Sequence, residues 1–105
     1  MAMKAELQRI AIAEVCGWRQ AKSEFADKPW IRPDGYRGGI GVNAIPDYLD
    51  DLNAMAEAER VLTDKQWSNF CDEMLIIITR DNVRRSVDAS QRAEAFLRAT
   101  GKVEL

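Results

Sequence analysis

The stretch "AIPDYLDDLNAMAEAERVL", residues 44–62, decides the fold of this chain because it carries the clearest helical pattern. Its apolar side chains recur at spacings of three and four, which places them on one face of a helix. Pro46 suits a first helical turn, and Asp47 complements the positive end of the helix dipole. We therefore predict an amphipathic helix that begins at Pro46. Glu59 interrupts its apolar face. With the preceding Ile45, that face consists of Ile45, Tyr48, Leu49, Leu52, Met55, Ala56 and Leu62.

Two further helices follow, and each begins with a capping signal. In "TDKQ" (63–66) and "DASQ" (88–91), a Thr or Asp is followed three residues later by a Gln. The Gln side chain can reach back to the backbone N–H of that first residue. The pattern predicts the third helix to about Ile78, although the β-branched run "LIIIT" leaves residues 77–87 open between helix, strand and loop. The fourth helix should end at Gly101, because glycine tolerates a left-handed terminal turn.

A first helix precedes these, over about residues 4–16, and should end at Gly17 for the same reason. Apolar residues surround most of its circumference, which predicts that it is largely buried. Cys16 and Cys71 lie in apolar helical patterns and are predicted to be buried free thiols. The predicted core consists of Leu52, Met55, Trp67, Phe70, Met74, Phe96 and Leu97.

The segment between the first two helices, residues 18–43, is irregular and rich in Pro and Gly. Its runs "PWIR" and "YRGGIGV" are predicted to pair as a hairpin around the turn Pro33, Asp34 and Gly35. A chain of 105 residues supports a single core. The predicted fold is therefore one α-rich α+β domain, residues 1–105, with about four helices around one core and a short β-hairpin between helices 1 and 2.

The composition argues against an enzyme. The chain has no histidine, so it lacks the commonest general base, the usual partner of a Ser or Cys nucleophile and the commonest metal ligand. A hydrolase that uses carboxylates alone would need a pair of acids beside a polar cleft, and the pattern shows none. We predict a non-enzymatic protein without a cofactor.

Two local patterns imitate known ligand sites. "GIGVNA", residues 39–44, matches a glycine-rich dinucleotide pattern, but no buried strand precedes it. Whether this loop cradles an anion stays open. Asp47, Asp50 and Asp51 crowd one predicted helix start, which is typical of dipole compensation rather than of a metal site.

The apolar runs are too short to span a bilayer, for which about 20 residues are needed. The N-terminal stretch also carries Glu6 and Glu14, where a signal peptide would be apolar. We therefore predict a cytoplasmic protein that does not bind membranes.

Three blocks, "IAIAEVCGW", "IPDYLDDLNAMAEAERVL" and "QRAEAFLRATGK", cover about two fifths of the chain. In this order, they resemble small tailed-phage and prophage proteins that carry the phage ABA sandwich domain, most of them of unknown function. The resemblance implies helices packed around a small sheet. It also implies a phage accessory protein, acting in the cytoplasm of an infected bacterial host, without established catalytic residues to transfer.

Cations alternate with aromatic residues in the segment 18–43. Rings that stack on bases and guanidinium groups that pair with phosphates are what nucleotide sites use. Solvated charges on an ordinary loop are the alternative. The pI near 5.2 argues against broad nucleic-acid binding. The candidate ligand-binding residues are Trp18, Arg19, Trp30, Arg32, Tyr36, Arg37 and Asn43.

These patterns lead to two functional hypotheses. In the first, a phage accessory protein binds a host protein or a small nucleotide, and sequesters a nucleotide defence signal. In the second, the chain is a structural or assembly protein that interacts with other proteins. An acidic second helix and a basic C-terminal half further predict a homo-oligomer.

Overall fold

The computed structural model describes residues 4–21, 29–83 and 86–102. These ranges form four α-helices and a small antiparallel sheet between the first two, which confirms the predicted α-rich α+β fold. No helix in them is both long enough and apolar enough to cross a bilayer. The elements are α1 (Ala5–Val15), β1 (Arg19–Gln20), β2 (Pro29–Ile31), β3 (Arg37–Ile40), a 3-10 turn (Val42–Ala44), α2 (Leu52–Glu59), α3 (Asp64–Arg80) and α4 (Ala89–Ala99).

Helix α4 is the centre of the core. It packs against α1, α2 and α3, and its small residues allow these helices to approach closely. Of the predicted core residues, four are fully buried and Met74 packs against the edge of the core. The largest buried side chains are Phe70, Phe96, Ile12, Ile45, Met55, Ile77 and Leu97.

Several residues predicted to be buried are exposed. Leu52 and Trp67 were predicted in the core but are 51% and 47% exposed, and Leu7 on α1 is similarly exposed. Cys71 is an exposed free thiol, whereas Cys16 is half-buried. The apolar face of α3 is wider than the surface that α4 covers, so residues at one edge of that face remain in solvent.

Helix α2 begins at Leu52, six residues later than predicted. The Arg9 side chain, reaching across from α1, donates to the carbonyl oxygens of Ile45 and Pro46, with the Nε–Pro46 distance at 2.8 Å. These bonds hold residues 45–50 as a separate turn. Asp51 then adopts an extended backbone, and its carboxylate caps the helix by accepting from Asn53 N at 2.9 Å.

The predicted helix signals hold elsewhere. Both capping boxes are present, Thr63 with Gln66 and Asp88 with Gln91. Helix α3 continues to Arg80, so residues 77–80 are helical, while residues 84 and 85 lie outside the described ranges.

Three helices end in the same hydrogen-bonded reversal, known as a Schellman motif. At the end of α1, Gly17 N donates to Glu14 O and Trp18 N donates to Ala13 O. The corresponding bonds close α4 at Gly101 and α3 at Asn82. All three central residues have a positive φ, and Asn82 is the one that is not glycine.

The sheet is an antiparallel meander in the order β1-β2-β3. The predicted hairpin is present, and its turn is closed by Arg32 N donating to Tyr36 O at 2.8 Å. Two residues of β3, Gly38 and Gly39, lie opposite the single residue Trp30, which makes a β-bulge. A Cβ atom on Gly38 would lie 3.3 Å from Trp30 O, so a side chain at this position would crowd the Trp30 carbonyl.

Candidate ligand-binding site

The structure separates the residues predicted to bind a ligand. Trp30 is 2% exposed and belongs to the core, so its expected role as an exposed stacking ring is wrong. Tyr36 is 71% exposed at the hairpin, and Asn43 is exposed on the 3-10 turn. Arg37 lies in β3, but its side chain is outside the described part of the chain.

Half-buried Trp18 contributes to the lining of two hollows. The first, of about 240 Å³, includes Arg19 and Trp30 in its lining. The second, which we call the α2 cleft, has about 350 Å³ and reaches the size usual for small-molecule sites, which begin at roughly 300 Å³. The α2 cleft is lined by Cys16, Trp18, Pro33, Pro46, Tyr48, Ala54, Glu57, Ala58 and Val61.

The α2 cleft results from the chain reversal at Gly17. This reversal puts Cys16 at the end of α1 and turns Trp18 back toward the sheet. The hairpin turn approaches the same point, because a Cβ atom on Gly17 would lie 3.4 Å from the Pro33 side chain. Small residues on α2, Ala54 and Ala58, leave the opposite wall open.

Three side chains in the lining of the α2 cleft, those of Trp18, Tyr48 and Cys16, have a hydrogen-bonding group or a thiol. Burial raises the pKa of Tyr48, and it also raises the pKa of the Cys16 thiol against the opposing effect of the nearby Tyr48 hydroxyl. Both groups are therefore neutral near pH 7, and Cys16 lacks the thiolate character of a nucleophile.

Two exposed ion pairs involve a lining residue of the α2 cleft or the sequence neighbours of one. Arg32 pairs with Asp34 at 3.3 Å on the hairpin, on either side of Pro33. Glu57, itself part of the lining, pairs with Arg60 at 3.2 Å on α2. Exposed pairs of this kind contribute about 0–1 kcal/mol. Either arginine can therefore exchange its partner for an anionic ligand at little cost.

Each of the two patterns that imitate ligand sites adjoins a helical element. Asp51 caps α2, and the described residues hold no group of three or more His, Cys, Asp or Glu placed to bind a metal ion. Residues 39–44 run from β3 into a three-residue 3-10 turn, so the helix that a dinucleotide loop needs does not follow directly.

Sequence reasoning missed most of the α2 cleft. It assigned Cys16 and Tyr48 to apolar helix faces that join the core, and it did not single out Glu57. These residues meet because α1, the irregular turn and α2 converge, and no spacing within one element reveals this. Gly17 was the available signal, since a helix end with a left-handed residue predicts a reversal beside it.

Comparison with protein-family models, curated proteins and solved structures finds no match for this chain. The resemblance to the phage ABA sandwich proteins therefore stays a prediction that rests on the three sequence blocks.

Proposed function

We propose that this chain is a non-enzymatic binding protein that holds a small nucleotide, with the base in the α2 cleft and a phosphate at Arg32. One observation carries the proposal: an apolar cleft of about 350 Å³ is lined by Glu57, which pairs with Arg60, and by Pro33, whose sequence neighbours Arg32 and Asp34 form a second exposed ion pair. An apolar pocket with a few convergent polar groups is the usual form of a small-ligand site.

The lining suits a planar heterocycle better than a flexible anion. Pro33, Pro46 and Val61 offer apolar contacts, and the base of the cleft carries no charge. The Glu57 carboxylate can accept a hydrogen bond from an exocyclic amino group of the base. A phosphate is then best placed at the hairpin side of the mouth, where Arg32 is a charge-assisted donor.

The resemblance to phage proteins supplies the biological setting of the proposal. In that setting, the ligand is a nucleotide of the bacterial host, and binding sequesters it without chemical change. The absence of histidine from the sequence supports binding without catalysis.

A thermal-shift screen against mono-, di- and cyclic nucleotides tests the proposal. A ligand at a hundred times its Kd stabilises the folded state by about 2.7 kcal/mol, which raises the Tm of a domain this size by roughly 10 °C or more. The nucleotide should be recovered intact by chromatography afterwards. No shift with any member of the panel contradicts the proposal.

Calorimetric titration of variants then locates the site. Arg32→Ala should raise Kd at least tenfold, about 1.4 kcal/mol, whereas Arg98→Ala on α4 should change it less than twofold. Val61→Asp puts a charge into the cleft wall, and Leu7→Asp, an equally exposed aliphatic on α1, is its matched control. A larger effect from either control would place the ligand elsewhere.

A second candidate, a structural or assembly protein, rests on a different observation. Large apolar side chains are exposed along α3, away from the α2 cleft, and exposed apolar patches commonly mark protein interfaces.

A further inference from the structure

Among the described residues that line the α2 cleft, Glu57 is the one with a charged side chain. The remaining lining residues are apolar or carry neutral polar groups. The Trp18 indole N–H can only donate a hydrogen bond. Burial raises the pKa values of the Tyr48 hydroxyl and the Cys16 thiol, so both keep their protons near pH 7. The Glu57 carboxylate is therefore the strongest hydrogen-bond acceptor that this lining offers to a ligand.

The Glu57 carboxylate has acceptor capacity to spare. Its Oε1 atom lies 3.2 Å from Nη1 of Arg60, and the side chain is 69% exposed. A carboxylate has about four lone-pair sites on its two oxygens, so this contact leaves Oε2 and part of Oε1 available. An ion pair as exposed as this one adds little stability, so a ligand can also displace Arg60. The two oxygens can thus accept a pair of parallel hydrogen bonds.

The position of Glu57 on α2 suits contact with a base in the cleft. The lining residues Ala54, Glu57, Ala58 and Val61 follow each other at helical spacings of three and four, so they form one face. The small side chains at 54 and 58 leave room beside the carboxylate. Buried Met55 and Ala58 hold α2 against the core, so the backbone at Glu57 is fixed although its side chain is exposed.

Guanine differs from the other common bases in having two adjacent donors on one edge. It presents the ring N1–H beside the exocyclic N2 amino group. Adenine and cytosine each present an amino group beside a ring nitrogen that accepts, and uracil presents N3–H between two carbonyl oxygens. A carboxylate only accepts hydrogen bonds. It can therefore bond to both donors of guanine, whereas on each other base it meets an acceptor lone pair.

We propose that the nucleotide held in the α2 cleft is a guanine nucleotide, and that Glu57 selects its base. This inference rests on the proposed function, which places a nucleotide base in the cleft. The Glu57 carboxylate accepts one hydrogen bond from N1–H and one from the N2 amino group. Hydrogen bonds to an ionised acceptor are roughly twice as strong as those between neutral groups, which favours the paired contact over a single bond to adenine.

The exposure of Glu57 sets the expected selectivity. A good bidentate contact between a side chain and a base discriminates against the wrong base by a factor of roughly 5 to 150. Water competes for a carboxylate that is largely exposed, so the effect should lie in the lower part of this range. We therefore expect the guanine nucleotide to bind about tenfold more tightly than the adenine nucleotide.

Calorimetric titration with matched nucleotides tests the selection. The probes are GMP, IMP and AMP together with the three corresponding diphosphates, so that each series differs in the base alone. The wild type should bind the guanine member of a series about tenfold more tightly than the adenine member. The hypoxanthine member keeps N1–H but lacks the amino group, so its Kd should fall between the other two.

Glu57→Gln tests the carboxylate at nearly constant side-chain size. The amide offers one donor and one acceptor, which complements the adenine edge. The ratio of the adenine Kd to the guanine Kd should therefore fall from about ten to about one or below. Removing the charge also changes the repulsion between position 57 and every phosphate, and the ratio within one series cancels this effect.

Arg60→Gln is the matched control, because it breaks the same ion pair but keeps the carboxylate. Its guanine preference should equal that of the wild type. Without ligand, both variants should unfold at the wild-type temperature within a degree or two, because so exposed a pair contributes little to stability.

Three results would overturn the inference and leave the proposed function in place. Equal binding of guanine and adenine nucleotides by the wild type removes the selection. A guanine preference that survives Glu57→Gln assigns the selection to another residue. A preference lost equally in Arg60→Gln assigns it to the ion pair rather than to the carboxylate. If none of the six probes binds, the inference fails, and if the thermal-shift panel also gives no shift, the proposed function fails with it.

Discussion

Glu59 on α2 and Arg92 on α4 form a two-pronged ion pair at the edge of the core. Arg92 Nε donates to Glu59 Oε2 at 2.7 Å, and Nη2 donates to the second carboxylate oxygen. The guanidinium also lies 5.6 Å from the centroid of the Phe70 ring. The hydrogen bonds to Glu59 raise the pKa of Arg92. The ion pair thus links α2 to α4, and the Arg92 guanidinium also contacts α3 through the Phe70 ring.

The two members of this pair should respond differently to removal of the partner. Glu59 is 7% exposed, so Arg92→Leu leaves a buried carboxylate unpaired and should cost about 3 kcal/mol in the free energy of unfolding. The Arg92 side chain retains more access to solvent, so Glu59→Leu should cost closer to 1 kcal/mol.

The double variant Glu59→Leu/Arg92→Leu should recover most of the loss, because an apolar pair leaves no orphaned charge. Urea unfolding of the four proteins measures these differences. Equal costs for the two single variants would mean that the carboxylate is hydrated in the folded state.

Core burial predicts a contrast between two aromatic residues. Phe96→Ala should lower the free energy of unfolding by about 3–5 kcal/mol, because Phe96 is fully buried on the central helix. Trp67→Ala should cost clearly less, since half of the ring is already in solvent. Denaturant unfolding gives both values. The reverse ranking would contradict the placement of α3 against α4.

Asn82 supplies a third prediction, because it holds a left-handed conformation with φ of 52°. Asn82→Gly should stabilise the protein by a few tenths of a kcal/mol, and Asn82→Ala should destabilise it by about 1 kcal/mol. Gly101→Ala is the comparison, since φ is +74° there and a Cβ atom would meet open space. Gly101→Ala should lose as much stability as Asn82→Ala, and the loss should come from backbone strain alone. Thermal unfolding at one pH measures all three.

A fourth prediction concerns the stability of the fold at low pH. Hydrogen bonds from Arg80 and then Gln91 lower the pKa of Asp81 from its ordinary 3.8 to about 2. Arg80 likewise lowers the pKa of Glu94. The unfolded chain therefore binds more protons than the folded chain, so stability rises with pH across this window and is lost as pH falls from about 4 toward 2.

Asp81→Asn tests this by comparison with the wild type. The stability difference between the two should be present at pH 6 and should shrink as pH falls through that window. Asp72→Asn is the matched control, because it removes an exposed α3 carboxylate that forms no ion pair with a described residue. If the stability difference between Asp81→Asn and the wild type is constant from pH 6 to pH 2, titration of Asp81 does not contribute to the acid sensitivity.

Local signals predicted the features of this fold that local contacts determine. The capping residues Thr63 and Asp88, the terminal glycines and the hairpin turn all interact with neighbours a few positions away. The start of α2 could not be predicted in this way, because Arg9 on another helix binds the carbonyls of Ile45 and Pro46.

The candidate site was predictable only in part for the same reason. Trp18 and Arg32 were identified by composition; Trp18 lines the α2 cleft, and Arg32 directly precedes Pro33, which lines it too. Trp30 was not distinguishable from them, because its burial depends on how the sheet packs against the helices. The exposure of Trp67 likewise depends on which side of α3 meets α4.

The central position of α4 has a consequence for synthesis on the ribosome. Helices α1, α2 and α3 emerge before it, each with an apolar face that Ala93, Phe96 and Leu97 later cover. Until these residues leave the exit tunnel, the nascent chain presents unfinished surfaces to chaperones and proteases. A chain whose translation stops before Ala89 should therefore be degraded rather than accumulate as a smaller folded protein.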